Sequence, residues 1–448
     1  MKKQSIFSDI KAGKKIISVY GLGNVGGPIA AAWLRKGAKI IGVDISQNLL
    51  DEIQKGKSHK VEPNISDTFS KGLKLNKLSL TSDGIEASKE SHIKFVAVPV
   101  GLNKNKIDLN SLLSATKSIA KGLKKNDVVI ICPSLPPGTT ANLVKDVLEK
   151  NSKLKVERDF YLIYSPERIF EGRALQDIEE NYPAIISGYG KNSLDFADSL
   201  LQIISKKGTI RMSSMANAEA EKLFEGVYRD VNIALANELA DYCEKVGVNF
   251  WEARKGANSQ PFCHLHYPGT GVGGLCIPVY PRFILESGNN IGKSLKIIQN
   301  SRKINDAMPI KCVKDSLDLL KKSKINPKNA KITILGLGFR GDVTDSRLSP
   351  TYDVVNEFLK IGSKVIIHDP FISEDSKIPK NVILTSNLSK AVKNSSLIFI
   401  SSDHKMYSKL TKSSFSKVKK PLLIFDGRNI LNKKSFSSES LLTIGLRD

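Results

Sequence analysis

The sequence predicts an α/β protein of two doubly wound domains, each a layered parallel sheet, joined by one long central helix. Three observations carry this. β-branched strands run straight into Gly-x-Gly-x-x-Gly turns twice, at Gly21 to Gly26 and at Gly336 to Gly341. Strand-like runs alternate with amphipathic helical stretches around each turn, the signature of a parallel sheet with helices on its faces. Between the two halves, Met215 to Val246 keeps one helical period with no proline.

The elements follow in order. Lys15 to Tyr20 is a strand, and after the turn the small apolar stretch Gly27 to Trp33 is a helix. A second strand, Ala38 to Val43, ends at Asp44, 23 residues beyond Gly21. A carboxylate at about that separation is what holds an adenosine ribose in a Rossmann-like unit, and it repels a 2′-phosphate, so NAD is expected over NADP. The glycines let the backbone approach a pyrophosphate, and the next helix offers its positive N-terminus. Further strands are expected at Ile93 to Val98, Val128 to Cys132, Phe160 to Tyr164 and Ala184 to Ser187. After Asn326-Pro327 the rhythm restarts with strands Lys331 to Leu335, Lys364 to His368, Leu397 to Ser401 and Leu422 to Phe425. Between the halves, the glycine-rich run Pro268 to Pro278 leads to one thiol, Cys276, which suggests backbone packed close to a ligand with the sulfur presented to it.

Composition bounds the rest. The 448 residues suggest about three domains, and 41% hydrophobic with 25% charged residues excludes disordered and collagenous chains. Lys+Arg 68 against Asp+Glu 45 gives a net charge of +23, which favours anionic partners in general. The lysines lie in small scattered groups without zinc-finger spacing or aromatic interleaving, and read as a solvated surface rather than a nucleic-acid site. Five cysteines without a CxxC pair argue against disulfides and bound metal, and fit a reducing cytoplasm. No signal-peptide pattern or apolar run of membrane-spanning length is present, so no membrane partner is expected.

The ordered blocks GLGNVGGPIA, PSLPPGTT (133–140), SPERIFEGRAL (165–175), EKLFEGVYRDVNIALANELA (221–240), PGTGVGGLCIP (268–278), GLGFRGDVTDSRLSP (336–350) and DGRNIL (426–431) resemble the UDP-glucose/GDP-mannose dehydrogenase family, and within it the UDP-N-acetylhexosamine 6-dehydrogenase branch. The resemblance implies two successive NAD-linked oxidations of a sugar 6-hydroxymethyl group to a carboxylate, for polysaccharide precursor supply. It implies an NAD-binding domain over 1–205, a central helical dimerisation domain with the cysteine loop over 206–312, and a UDP-sugar-binding domain over 313–448. It makes Cys276 the nucleophile, Lys222 the residue that steadies the oxyanion, Glu167 a carboxylate near water and substrate, and Ser134 a contact to cofactor and water. Gly21, Gly23, Asn24, Val25, Gly26 and Asp44 would hold the cofactor. Arg168, Ile169, Lys222, Arg229, Gly271, Gly273, Phe339, Arg340 and Arg428 would hold the nucleotide sugar. Arg347 would reach a neighbouring subunit's cofactor site, which implies a homodimer.

Some positions depart from the family pattern. Gly226 stands where the family has a catalytic Asn, and Tyr280 where it has an Asp. Leu275 replaces a His, Val100 a cofactor-side Thr, and Gln260 and Phe262 a His and an Arg at the sugar. Losing an oxyanion donor costs about 3 to 4 kcal/mol of transition-state stabilisation, so a weakened enzyme, or a homologue that binds NAD and nucleotide sugar without turnover, is the alternative expectation.

Overall fold

The computed structural model describes residues 3–58, 62–104, 106–436 and 440–446. It divides into two units, Met1–Glu225 and Gly226–Asp448, and the boundary falls inside the helix Met215–Val246.

In the first unit the strands are β1 (Ile17–Tyr20), β2 (Ile40–Val43), β3 (Leu78–Thr81), β4 (Ile93–Val96), the small hairpin of β5 (Gly101–Asn103) and β6 (Lys106–Asp108), then β7 (Val128–Ile131), β8 (Tyr161–Tyr164), β9 (Ala184–Gly188) and β10 (Thr209–Arg211). Eight of them form one sheet in the order β10-β9-β8-β7-β4-β1-β2-β3. Alternation along the strands feeds two apolar layers: Ile17 and Val19 pack with Trp33 and Phe95 on one face, while Tyr20 packs with Val96, Leu112 and Ile119 on the other. The helix Gly26–Arg35 buries nine of its ten residues, and its Pro28 sits in the first turn, where a missing N–H costs nothing.

A wholly parallel sheet was the expectation, and one pairing departs from it: β8 and β9 run antiparallel. The connection between them forms two short helical turns, Ala174–Gln176 and Asp177–Asn181, rather than a crossover that would return the chain to the start of β8.

In the second unit the strands are β11 (Lys331–Leu335), β12 (Lys364–His368), β13 (Ile383–Thr385), β14 (Leu397–Ile400), β15 (Ile424–Asp426) and β16 (Leu441–Thr443). They form a parallel sheet in the order β13-β12-β11-β14-β15-β16. Before it come the helices Phe250–Ala257, Tyr280–Asn290 and Lys296–Lys322, the last with Pro309 inside it.

A buried polar network stitches this helical part together. Arg302 pairs with Asp230, both nearly without solvent exposure, and Asn305 Nδ2 donates to Asp230 Oδ1 at 2.8 Å. Asn237 Nδ2 donates to Asn305 Oδ1 at 2.9 Å, and Asn237 Oδ1 accepts the Gly269 N–H at 2.9 Å. The start of the cysteine loop is thus hydrogen-bonded directly to the long helix at Asn237, whose amide Asn305 braces from the helix Lys296–Lys322.

Candidate active site

In the first unit, Gly21 adopts φ 85°, a left-handed conformation that favours glycine. A Cβ on Gly26 would lie 1.7 Å from the Gly21 carbonyl oxygen, so only glycine lets the helix start this close to the turn. Asn24 Oδ1 is buried there without a hydrogen-bond partner among the described residues, a polar atom that a bound group would satisfy. Asp44 Oδ2 accepts the Leu22 N–H at 2.8 Å and Oδ1 accepts the Ser46 N–H at 2.9 Å. Each oxygen keeps a lone pair for a ribose hydroxyl. Ile45, 96% exposed beside it, is an apolar surface that sequence reading missed; the signal was an isolated Ile after the acid, outside any strand. These residues fit a dinucleotide with a free ribose edge.

The fit gives an expected result. A 2′-phosphate placed about 4 Å from the Asp44 carboxylate meets a repulsion of about 4 kcal/mol, so NAD should bind at least a hundredfold more tightly than NADP. Asp44→Ala should shrink that ratio below about tenfold. Equal titration curves for the two cofactors on the unaltered chain would reject the assignment.

The same unit gathers a charged cluster. Arg168 donates to Glu225 Oε1 at 2.7 Å and lies 3.8 Å from Glu221, with its guanidinium over the Tyr182 ring; Lys222 Nζ lies 3.4 Å from Glu225 Oε2. Burial raises the Glu167 carboxyl to about 7, with the Lys222 ammonium and the Arg168 N–H pulling the other way. A carboxyl poised there suits proton exchange with water near neutral pH. Ser134 and Ile169 are half-buried. Sequence reading missed Glu219, which is fully buried and accepts both the N–H and the hydroxyl of Thr140, at 2.8 and 2.7 Å. It holds the PPGTT turn, and its only sequence signal was a carboxylate one helical turn from Met215 and one from Leu223.

The raised Glu167 value also bears on stability. Its ordinary value is 4.5, so between about 4.5 and 7 the folded chain holds a proton that the unfolded chain has released. Stability therefore falls as pH rises through that window and is constant above it. Glu167→Gln should stabilise the fold at pH 8, on the order of 2 to 3 kcal/mol by denaturant midpoint, and leave it unchanged near pH 4.5. A variant no more stable at pH 8 would refute the buried-carboxylate account.

In the second unit, the glycines of the cysteine loop make close approaches to the chain itself. A Cβ on Gly271 would lie 2.7 Å from Pro350 Cβ, and one on Gly273 would lie 2.6 Å from both the Leu348 carbonyl oxygen and Phe339 Cβ. The Gly274 N–H donates to the Arg347 carbonyl at 2.9 Å. Phe339 is therefore a wall of the loop. Arg428 donates through Nε to the Ser401 carbonyl at 2.7 Å, and its guanidinium faces Gly269. Arg347 is ion-paired with Asp345, Arg340 is half-buried, and Arg229 is exposed on the long helix.

The second glycine frame differs from the first. No helix follows Gly341 directly; the next begins at Thr351. Asp369, at the end of β12 where Asp44 follows β2, is fully buried. Its carboxylate accepts the N–H groups of Leu337, Gly338, Phe371 and Ile372 and faces His404 Nε2 at 3.2 Å. Against the burial that would raise it, the His404 contact and these N–H groups hold the Asp369 carboxyl below its usual range. It has no oxygen left for a ribose, so this frame is not a second dinucleotide cradle.

Cys276 is exposed, just ahead of the helix Tyr280–Asn290, and its sulfur accepts a hydrogen bond from the Tyr280 hydroxyl at 3.3 Å. The Tyr280 ring packs on Gly226, where an added Cβ would lie 2.5 Å from Tyr280 Cδ2. The two departures from the family pattern thus touch each other. Leu275 and Phe262 are exposed, at 36% and 97%.

Comparison with known proteins places this arrangement. The model of the UDP-glucose/GDP-mannose dehydrogenase family NAD binding domain matches residues 15–205, its central domain 216–307, and its UDP binding domain 333–433. A UDP-N-acetyl-D-mannosamine dehydrogenase of Pyrococcus horikoshii is 33% identical over 419 residues, covering 93% of this chain and 96% of its own. The chain belongs to the UDP-glucose/GDP-mannose dehydrogenase family.

Other members of the family agree. An NDP-N-acetyl-D-galactosaminuronic acid dehydrogenase of Ralstonia nicotianae is 31% identical over 405 residues, covering 88% of this chain and 92% of its own. The solved structure of the UDP-D-ManNAc dehydrogenase from Pyrococcus horikoshii superposes with a TM-score of 0.88 at 31% identity, covering 96% of this chain and 99% of that one. Membership in the family makes NAD the cofactor and oxidation of a nucleotide sugar at a CH–OH carbon the reaction. The relatives are dehydrogenases by name, so nothing in them supports the alternative of a chain that binds without turnover. Among the described residues no helix is long and apolar enough to cross a membrane.

Proposed function

We propose that this chain oxidises the 6-hydroxymethyl group of a UDP-N-acetylhexosamine to the uronic acid in two NAD-linked steps, supplying a polysaccharide precursor, and that it works as a homodimer in the cytoplasm. The observation that carries the reading is an exposed thiol with a hydrogen-bond donor on its sulfur, Cys276 with Tyr280, in a chain whose other unit has the NAD cradle. NAD supplies the acceptor for hydride in both oxidations. The chain's own residues do the rest. Cys276 adds to the intermediate aldehyde and keeps it bound, Lys222 steadies the oxygen that becomes negative, and Glu167 takes a proton from the water that releases the acid. Ser134 orients that water. Arg168, Ile169, Arg229, Gly271, Gly273, Phe339, Arg340 and Arg428 bind the nucleotide sugar, with the guanidinium groups on its diphosphate.

The N-acetylhexosamine assignment is supported by the named relatives, which act on UDP-N-acetyl-D-mannosamine or bear an N-acetylgalactosaminuronic acid name. The homodimer is supported by Tyr228, Leu235, Tyr242 and Val246, which are 41 to 60% exposed at seven- and four-residue spacing along the long helix, and by Arg347, which would serve a neighbour's cofactor site. Five unpaired cysteines support the reducing compartment.

The test is to incubate purified chain with NAD and a panel of UDP sugars, with and without the N-acetyl group, and follow NADH. Two NADH per N-acetylhexosamine, with little from UDP-glucose, is the expected outcome. A preference for UDP-glucose would overturn the substrate class, and a monomer in light scattering at micromolar concentration would overturn the dimer.

A further inference from the structure

Gly226 and Tyr280 are 54 residues apart in sequence, and the structure makes them one packed unit. The Cys276 carbonyl accepts the N–H groups of Val279 and Tyr280, at 3.2 and 2.9 Å, so the chain turns once and enters the helix Tyr280–Asn290. Pro281 in the first helical turn fixes that entry. The four-residue step brings the Tyr280 side chain back toward Cys276, and its hydroxyl ends 3.3 Å from the sulfur. On one side the ring meets Gly226, where the three nearest atoms to an added Cβ all belong to Tyr280, at 2.5, 3.1 and 3.2 Å. On the other it lies 6.4 Å, centroid to centroid, from the fully buried Phe283. A glycine in mid-helix gives up about 1 kcal/mol of helix propensity, and what occupies the room it leaves is this ring.

We propose that Tyr280 is a catalytic residue of the proposed oxidation, the hydrogen-bond donor to the Cys276 sulfur, and that Gly226 is its seat. This deepens the reading of Cys276 as nucleophile and rests on it. In the first covalent step the sulfur forms a bond to the aldehyde carbon, and the carbon–oxygen π pair moves to the oxygen. The hydride then lost from that carbon goes to NAD, leaving a thioester. Water adds to the thioester carbon, its proton goes to a carboxylate base, and the carbon–sulfur bond breaks with its electron pair going to sulfur. The Tyr280 hydroxyl faces the sulfur in the state before attack and again as the pair returns. A donor there stabilises the anionic sulfur as attacking and leaving group alike. Arg282 and Arg302 pair with Asp306, and Arg347 pairs with Asp345.

The experiment measures alkylation of Cys276 by iodoacetamide in the whole chain at neutral pH, read by peptide mass, beside steady-state turnover. Cys132, Cys243 and Cys312 are buried, which leaves Cys276 as the exposed target and Cys263 as a half-buried internal reference. Tyr280→Phe keeps the ring and removes the donor. It should slow Cys276 alkylation about threefold, because the sulfur loses the hydrogen-bond donor that stabilises its negative charge, and lower kcat about tenfold with KM little changed. A purely structural role predicts the opposite sign, since a loosened ring exposes the sulfur and speeds labelling. Gly226→Ala should displace the ring and reproduce the Tyr280→Phe losses, and the double variant should be no worse than either single one. A denaturant midpoint for Gly226→Ala separates a displaced ring from a destabilised fold. Tyr280→Phe alkylated at the original rate or faster, or additive losses in the double variant, would overturn the proposal. Should Cys276→Ser still complete both oxidations, the nucleophile reading fails, and the labelling result is unaffected by that failure.

Discussion

Cys276→Ser is expected to stop the second oxidation. Thioester formation needs a sulfur that attacks readily and leaves readily, and a serine hydroxyl in the same place does neither at neutral pH. Conversion of the sugar to its acid should fall by more than about a thousandfold, the scale on which removal of a nucleophile acts. The first hydride transfer needs no sulfur, so a burst of at most one NADH per active site should survive. NAD affinity should not move, because Gly21, Gly26 and Asp44 belong to the first unit and Cys276 to the second. The measurement is NADH stoichiometry per sugar with product identification by mass. If the variant still yields two NADH per sugar, the covalent route is wrong.

Arg302→Met is expected to cost a large part of the fold's stability. Asp230 is fully buried, and burial already raises its carboxyl above the usual range against the opposing pull of Arg302 and Asn305. Removing the guanidinium leaves a desolvated carboxylate with Asn305 as its remaining side-chain partner, a class of change that costs about 3 to 5 kcal/mol. Adding Asp230→Asn should recover a large part of the loss, since it removes the stranded charge. The loss should also reach the cysteine loop, because Asn305, which donates to Asp230, also holds Asn237, the acceptor of the Gly269 N–H. Denaturant midpoints of the two single variants and the double variant form the cycle, and a double variant weaker than Arg302→Met alone would refute the stranded-charge account.

Legibility in the sequence followed the strength of the local pattern. The helix Met215–Val246 and the strands Lys331–Leu335 and Lys364–His368 matched their expected bounds, because a long uninterrupted period or a β-branched run between breakers leaves few alternatives. The strands Leu78–Thr81, Thr209–Arg211, Ile383–Thr385 and Leu441–Thr443 went unread; each is three or four residues long and defined by a neighbour's main chain rather than by its own side chains. The helix Lys296–Lys322 was hidden by Pro309, whose ring packs against the loop at Gly271. The place of Asp44 directly after β2 was legible from strand and spacing. The packing partners of the cysteine-loop glycines were not, because Phe339, Leu348 and Pro350 lie some 70 residues downstream. The meaning of Gly226 was equally out of reach, since only the fold brings Tyr280 to it.

The contact between Gly226 and Tyr280 also constrains ancestry. From a forebear with Asn at the first position and Asp at the second, the two single replacements are not equivalent. A tyrosine arriving first meets a side chain at 226 in the space its ring requires, whereas a glycine arriving first opens that space and leaves the acid in place. Replacement by way of glycine therefore avoids the clash, and restoring a Cβ at 226 while tyrosine remains forces the ring out of its seat. Lineages that carry glycine with the acid should exist as living traces of the midpoint, and lineages that carry asparagine with tyrosine should be absent.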